Sequence, residues 1–512
     1  MSERRLLSRR RALRAAVLGS AGIATTAALA GCGETRTVTV TETVEVEKVV
    51  TKIVEKEKAL GINEARTDAI VVEKEIVKTV EVKPVVTEVS MWFNQSAQMK
   101  NFENKVLKHF NGSQSLYKLS ALLVPNNELS TKMTAAIAGG TAPDVVRIGG
   151  YTVANAFIKA KALIPLSKDY RPDIASLDFA PGLNQSFSFQ GEMYAWPVNT
   201  GTQCLYYNTQ LYDKAGIKDV PTTFAGMIEN SKKVQALGGK HLGYEMGNEP
   251  KAGTFNITHG HRLGFGREAN IIDKTGTKVQ LNSDRMKEFF GWIKKDVVDS
   301  GISPIKIMNE PSNTKDFQTG MLGHFFAYPS RLQASIDAIG STATGIIRLP
   351  AGPYSDETPG GNGGVLSIPV AAKNPDGGYA FTEFIGDNKE NNGIWAAAFG
   401  QLPPRLSHRD SVVYSAYMAN TPQVAQFLKG LEKGRLSYYG PGDVPIATEY
   451  AKALEKVYFS AASVEDALNT AQKAAEPLLA KALEKNDPYG MALAPGETAK
   501  LGEQKGGMGT TK

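Results

Sequence analysis

Between Gly33 and about Pro84 the chain is built largely from Val, Thr, Glu and Lys, with almost no aromatic residues. Such a stretch cannot enclose apolar volume by itself, so any compact fold must lie beyond it. Val38, Val40, Val44 and Val46 alternate with Thr and Glu at the two-residue period of a strand, whereas Val46, Val50 and Ile53 fall at helical spacing. Val72 to Lys78 resembles Ile53 to Glu57 in composition, so the segment is a degenerate internal repeat. The pattern admits a solvated, mostly disordered tether, favoured because sustained heptads are missing, or a short coiled coil that pairs chains. Fully extended, the 52 residues from 33 to 84 would span about 170 Å at ~3.3 Å each.

Ahead of this segment, paired arginines in Ser8-Arg9-Arg10-Arg11-Ala12-Leu13-Arg14 precede an apolar run from Ala15 to Ala30 that ends in Leu29-Ala30-Gly31-Cys32. This resembles a twin-arginine leader followed by a bacterial lipoprotein box. Small residues before the cysteine let a peptidase fit the backbone closely, and the thiol is the point of acylation. The run is shorter than the roughly 20 apolar residues a membrane span needs. General secretion also fits, since Ala12 stands where the twin-arginine pattern carries a bulky apolar residue. The expectation is a signal peptide over 1–31, lipidation at Cys32 and a protein held on the outer face of the cytoplasmic membrane.

Removing that leader changes the meaning of the charge. The formal net charge is +6, but residues 1–31 hold six arginines and one glutamate, which leaves the remainder near +1. No case for nucleic acid or for an acidic lipid surface survives. With Cys32 acylated, Cys204 has no partner for an internal disulfide and reads as a small buried residue.

Residues 85 to 485 have ordinary globular composition, and about 400 residues exceed what one compact core usually serves, so at least two lobes are expected. Val85 to Phe93 is a β-branched and aromatic run that predicts a strand. Phe102, Val106, Leu107 and Phe110 follow at helical spacing; Leu129, Met133 and Ile137 mark a second helix stopped by Gly139-Gly140, and Val145 to Ile148 predicts another strand. This order predicts an α/β layer with parallel pairing. Ser463 is placed to cap a helix carrying Glu465 and Asp466 in its first turn and Val464, Leu468, Ala471, Leu478 and Leu479 on one face. Residues 486–512, rich in Gly and Lys, read as a loose tail.

Four segments carry a resemblance to a known family. They are Leu129 to Asp144 with Ala162-Leu163-Ile164-Pro165-Leu166 after it; Tyr194-Ala195-Trp196-Pro197 through Leu205-Tyr206-Tyr207-Asn208 to Pro221-Thr222-Thr223-Phe224; Phe317-Gln318-Thr319-Gly320 before Phe325-Phe326-Ala327; and Ala372-Lys373-Asn374-Pro375 with Gly400-Gln401-Leu402-Pro403. Their order and spacing resemble a substrate-binding protein of an ABC importer, in the branch of maltose-binding and other carbohydrate-binding proteins. The resemblance implies a two-lobed periplasmic-binding-protein fold of the second type, with hinge crossings between α/β lobes. It implies a first lobe from 85–200 with 350–392 and a second from 201–349 with 393–485. It also implies a sugar-like ligand held between the lobes and delivered to membrane permease subunits, with no catalysis, cofactor or metal.

Sugars present flat C–H faces and many hydroxyls, so aromatic platforms and polar side chains on loops are the candidates. The resemblance places Asn94 and Gln95 after the first strand, Gly149, Gly150 and Tyr151 after the strand that follows Asp144, and Asn199 and Thr200 at the first crossing. It places Glu249 in an acidic loop, Tyr328 where a stacking aromatic often stands, and Gly363 and Gly364 at the second crossing; Tyr450 is a last candidate. Blander roles compete. Asp144 reads as a structural turn residue, Trp92, Trp292 and Trp395 as core, Trp196 as equally core or platform, and one of Tyr206 and Tyr207 as buried. His259-Gly260-His261 reads as a surface turn, and Gly360 to Gly364 as a flexible connector. An anchored glycoside-active hydrolase is the rival from another class, but the chain lacks a His-Glu-x-x-His helix, a Gly-x-Ser-x-Gly elbow and a phosphate loop. A third reading makes the valine-rich segment an envelope spacer or adhesin.

Overall fold

The computed structural model describes residues 43–52, 73–82, 86–94, 98–180, 183–251, 253–360, 363–436, 443–460 and 462–484. The leader, Cys32 and the tail from 486 lie outside the described residues. The chain divides into two units, Met1–Val85 and Val86–Lys512.

In the first unit, Thr43–Lys52 and Glu73–Val82 pair as an antiparallel ladder over their full lengths. Strands thus stand at 43–52 and 73–82, where the sequence admitted a tether or a coiled coil; the rest of 33–84 lies outside the described residues. The ladder register sets Glu47 opposite Lys78 and Lys52 opposite Glu73. β-branched residues favour strand pairing. The two-residue period at Val44 and Val46 is therefore the informative one.

The second unit contains two large sheets and, among the described residues, two short two-stranded pairings. The first has the strand order Tyr117–Leu123, Thr87–Phe93, Val145–Gly149, Gly364–Ser367, Trp196–Pro197. Its first three strands run parallel, and Gly364–Ser367 lies antiparallel to both of its neighbours. The second sheet has the order Leu242–Glu245, Leu322–Ala327, Cys204–Asn208, Thr344–Arg348, with the first pair parallel and the others antiparallel. The chain crosses from the first sheet to the second after Trp196–Pro197 and returns after Thr344–Arg348.

Aromatic packing fastens helices to the first sheet. Alternation in Thr87–Phe93 buries Val89, Met91 and Phe93 on one face. Phe93 stacks on Phe102 at 4.5 Å between ring centroids, and Trp395 meets Phe399 edge-on at 4.7 Å beside them. The change of lobe expected at 392/393 falls inside the helix Lys389–Phe399. That helix packs on the first sheet's side because Trp395 and Phe399 complete the Phe93–Phe102 cluster. Asp144, buried, fastens another corner: Oδ2 accepts from the Ser90 amide and hydroxyl, and Oδ1 from the Asn374 amide at 2.6 Å. It has the structural role read from the sequence. Ser463 likewise caps Val464–Glu484 by accepting from the Asp466 amide at 3.0 Å.

Leu322–Ala327 is buried along its whole length, His324 included. His324 is satisfied there by the Tyr212 hydroxyl at 2.7 Å, Ser231 Oγ at 3.0 Å and the Gly243 carbonyl at 3.0 Å. His259 and His261 are not on a surface turn: both are buried in the short helix His259–Gly264, with the His261 ring stacked 4.1 Å from Phe326. A continuous apolar environment selects the inward-facing helix over an exposed loop. Burial pushes His324 down to about 4, His261 to about 3, and His259 well below its ordinary value.

These buried rings predict a pH dependence. The unfolded chain takes up protons near pH 6.5 while the folded rings stay neutral, so stability is full above that value and falls as the pH drops toward the folded values. Urea midpoints measured at pH 7 and pH 5 should show a loss on acidification, each such histidine costing up to about 2 kcal/mol by pH 5. His324→Gln should make the slope shallower even where it lowers the midpoint, and an unchanged slope would contradict the assignment.

Candidate functional site at the crossings

Parallel strands end on one edge of each sheet, and loops leaving that edge are where open α/β layers hold ligands. In the first sheet, Trp92 pairs with Val146, so Asn94 and the Gly149–Gly150 turn leave from the same edge. In the second, Glu245 pairs with Phe325, so the loop carrying Glu249 and the residue Tyr328 leave together.

At the first sheet's edge the candidates converge. Gly149 is the ladder partner of Gly364, and the Val198 amide donates to the Gly364 carbonyl at 3.0 Å. Asn199, buried, follows directly, and its Nδ2 donates to Gln401 Oε1 at 2.6 Å. Thr200 exchanges backbone hydrogen bonds with Leu402, at 2.8 and 3.3 Å. A third passage of chain, Gln401–Leu402, thus lies against the first crossing. Gly150 has φ 99°, a conformation that favours glycine, and opens the helix Tyr151–Lys159.

Gly363 and Gly364 are not a slack connector. A Cβ at Gly363 would collide with the Asn199 carbonyl, and one at Gly364 would collide with Arg147 Nη2 and lie 2.6 Å from Asn199 Oδ1. The glycines let two crossing backbones touch, and Gly364–Ser367 is a full strand between two partners. Close approach, rather than freedom, is the reason for these two glycines.

Tyr328 reaches the first crossing from the second lobe. A Cβ at Gly201 would lie 3.7 Å from Tyr328 Cδ1 and 3.2 Å from the Pro329 ring. The Tyr328 backbone is fixed by the Tyr206 hydroxyl on its carbonyl at 2.9 Å and by its amide on Glu310 Oε1 at 3.3 Å. Arg331 in turn pairs with Glu310 at 3.3 Å. The ring is half-buried, while Tyr206 is buried and Tyr207 half-buried, as the alternation predicts.

The remaining candidates make their contacts away from this cluster. Glu249 is half-buried and pairs with Lys251 at 2.5 Å, and its carbonyl accepts from the Thr254 hydroxyl. Its loop is pinned by Asn248, which accepts from the Met308 amide at 2.7 Å and donates to the Lys306 carbonyl at 2.9 Å. Beneath it, burial raises the Glu245 carboxyl to about 7 despite the Lys306 ammonium 2.9 Å away. Tyr450 is fully buried in the helix Asp443–Phe459; its hydroxyl meets Thr258 Oγ1 at 2.8 Å and its ring packs edge-on against Phe255 and Phe290. Gln95 lies outside the described residues. Trp196 and Trp395 are fully buried, Trp92 and Trp292 partly buried against the core, and Cys204 is a buried thiol.

Sequence reasoning passed over Arg147 and Gln401. Arg147 had a visible signal: a cation inside the otherwise apolar run Val145-Val146-Arg147-Ile148. It is buried, and its Nη1 donates to Asn94 Oδ1 at 2.5 Å. Gln401 had no local signal, because its role depends on a chain passage about 200 residues from Asn199.

The chain belongs to the bacterial extracellular solute-binding protein family, whose profile matches residues 105–422. Among curated relatives, a binding protein of Brucella abortus (strain 2308) is 23% identical over 392 residues, covering 75% of this chain and 92% of that protein. The sn-glycerol-3-phosphate-binding periplasmic protein UgpB of the same strain is 26% identical over 213 residues, 40% of this chain and 49% of that one. Among solved structures, the GacH receptor of Streptomyces glaucescens superposes with a TM-score of 0.68 at 21% identity, covering 77% of this chain and 99% of its own. UgpB of Mycobacterium tuberculosis gives 0.67 at 21%, covering 77% and 99%. The fold is that of the two-lobed MalE-like binding proteins. Among the described residues no helix is long and apolar enough to cross a membrane.

The touching crossings are open to a direct test. Gly363→Ala should drive the second crossing off Asn199 and lower the urea midpoint by the equivalent of about 1–3 kcal/mol, the usual cost of overpacking. A variant as stable as the parent would show that the two backbones are not in contact.

Proposed function

We propose that the protein reversibly captures a carbohydrate or a related hydroxylated solute between its two lobes and delivers it to the permease subunits of an ABC importer. The observation that carries this reading is the meeting at the first crossing of Asn199 and Thr200, Gly363 and Gly364, and Tyr328 from the opposite lobe. A solute gripping groups on both sides favours a closed arrangement, because only contacts that differ between open and closed states shift the balance. Half-buried Tyr328 offers a ring face for a sugar's C–H surface, and the amides and glycine backbone offer hydroxyl partners. The likeness to the GacH receptor, solved with acarbose, and to MalE3 of T. maritima, solved with maltose, supports the solute class. We assign no covalent chemistry to this site.

A thermal-shift screen of mono- and oligosaccharides, polyols and sugar phosphates tests the reading. A bound solute at a hundred times its Kd stabilises by about 2.7 kcal/mol and raises Tm accordingly. Tyr328→Ala should weaken that solute at least tenfold without lowering the ligand-free Tm by more than a few degrees. No shift with any of the three classes would sink the proposal.

The reading includes export and lipid attachment through Cys32, for which the Leu29-Ala30-Gly31-Cys32 box is the support. Acylation at more than one position would hold the protein firmly, whereas a single chain would not. In cell fractionation, Cys32→Ser should move the protein from the membrane pellet to the soluble fraction; persistence in the pellet would refute the anchor.

A further inference from the structure

Arg147 differs from most of the other described arginines. Arg171, Arg267, Arg331, Arg348, Arg405 and Arg435 each pair with a carboxylate. Arg262, equally buried, has more acceptors: it donates to the Phe255 and Ala269 carbonyls and to Asn270 Oδ1, and lies over the Phe255 ring at 3.6 Å. Arg147 is 2% exposed, and among the described residues its side-chain hydrogen bonding consists of the single bond to Asn94. Its Nε has no partner, and no carboxylate pairs with it among the described residues. The Phe93 ring 5.9 Å away is a weak substitute for an anion. Burial lowers its proton affinity to about 9, which still leaves it charged at neutral pH.

A buried cation without a counter-charge is costly, and protein interiors satisfy such groups unless another molecule does so. The position is telling. Arg147 lies at the edge where the parallel strands end, joined to Asn94 and set against Gly364. Against the same face of Gly364, buried Asn199 Oδ1 also has no partner, while Asn199 Nδ2 donates to Gln401. A guanidinium fork and an amide acceptor therefore flank one glycine.

We infer that Arg147 and Asn199 form an oxyanion-and-hydroxyl subsite, with the guanidinium taking a phosphate or carboxylate of the solute and Asn199 Oδ1 accepting from a neighbouring hydroxyl. Planar guanidinium matches both oxyanions in the same two-pronged way, so the chemistry shared by a sugar phosphate and a sugar acid is what the site selects. This rests on the solute-capture reading above and narrows it to an acidic polyol or sugar. Gly364 is part of the subsite because any side chain there would fill the space between the two groups.

Calorimetric titration of the full chain with a hexose, its 6-phosphate and its uronic acid, together with glycerol and glycerol phosphate, tests the inference. At least one anionic member should bind tenfold or more tightly than its neutral counterpart, and the arm that does so tells phosphate from carboxylate. Arg147→Gln should abolish that preference, while Arg147→Lys should retain part of it. Neutral solutes binding as tightly as anionic ones, or an unchanged ratio in Arg147→Gln, would overturn the subsite and leave solute capture standing. Binding of none of these solutes, nor of any in the wider screen, would overturn both. The ratio in the unsubstituted protein decides the matter even if Arg147→Gln fails to fold.

Discussion

Two backbones touch where the chain passes between lobes, and much of the architecture depends on that contact. The Asn199 carbonyl occupies the space a side chain at residue 363 would need, so the return crossing can approach only as glycine. That approach lets Gly364–Ser367 enter the first sheet between Val145–Gly149 and Trp196–Pro197, locking both crossings into one hydrogen-bonded layer. The Gln401–Leu402 passage then adds its backbone to Thr200. Three passages held this way give the junction a fixed side while the loops at the strand ends remain available to a ligand. Steric exclusion is a stiffer device than any single hydrogen bond, since it does not depend on solvent competition.

The fold was legible where periodicity and composition act locally. Thr87–Phe93, Asn126–Ala138 and Val145–Gly149 stand where their patterns put them, and Ser463 caps the helix that its spacing announced. Asp144 was readable as structural because a carboxylate at a strand start can bind several amides. What failed had non-local causes. His259 and His261 read as surface residues because a Gly between two histidines carries no apolar signal, yet both are buried, and Phe326 and Phe224 from other elements pack against the His261 ring. The glycine run read as slack because the backbone it touches comes from far along the chain.

The candidate site divides in the same way. Asn94, Asn199, Thr200, Gly363, Gly364 and Tyr328 could be placed by resemblance, and the structure brings them to the crossings. Arg147 was not placed, since a strand quoted for its apolar residues invites attention to those alone. Its cost is visible only in three dimensions, where the absence of a counter-charge among the described residues can be set against arginines such as Arg171 and Arg405. A sequence shows that a charge is present, but not that it has nothing to answer it.

The paired ladder in the first unit carries a consequence of its own. Thr43 stands directly across from Val82, so the chain leaves the ladder one strand spacing, about 5 Å, from where it entered. From Thr43 to Val82 the chain therefore makes almost no net advance. Of the roughly 170 Å that 33–84 could cover if drawn straight, the residues outside 43–82 supply at most about 40 Å at ~3.3 Å each. Strand pairing, and not the number of residues alone, therefore sets the reach of this segment.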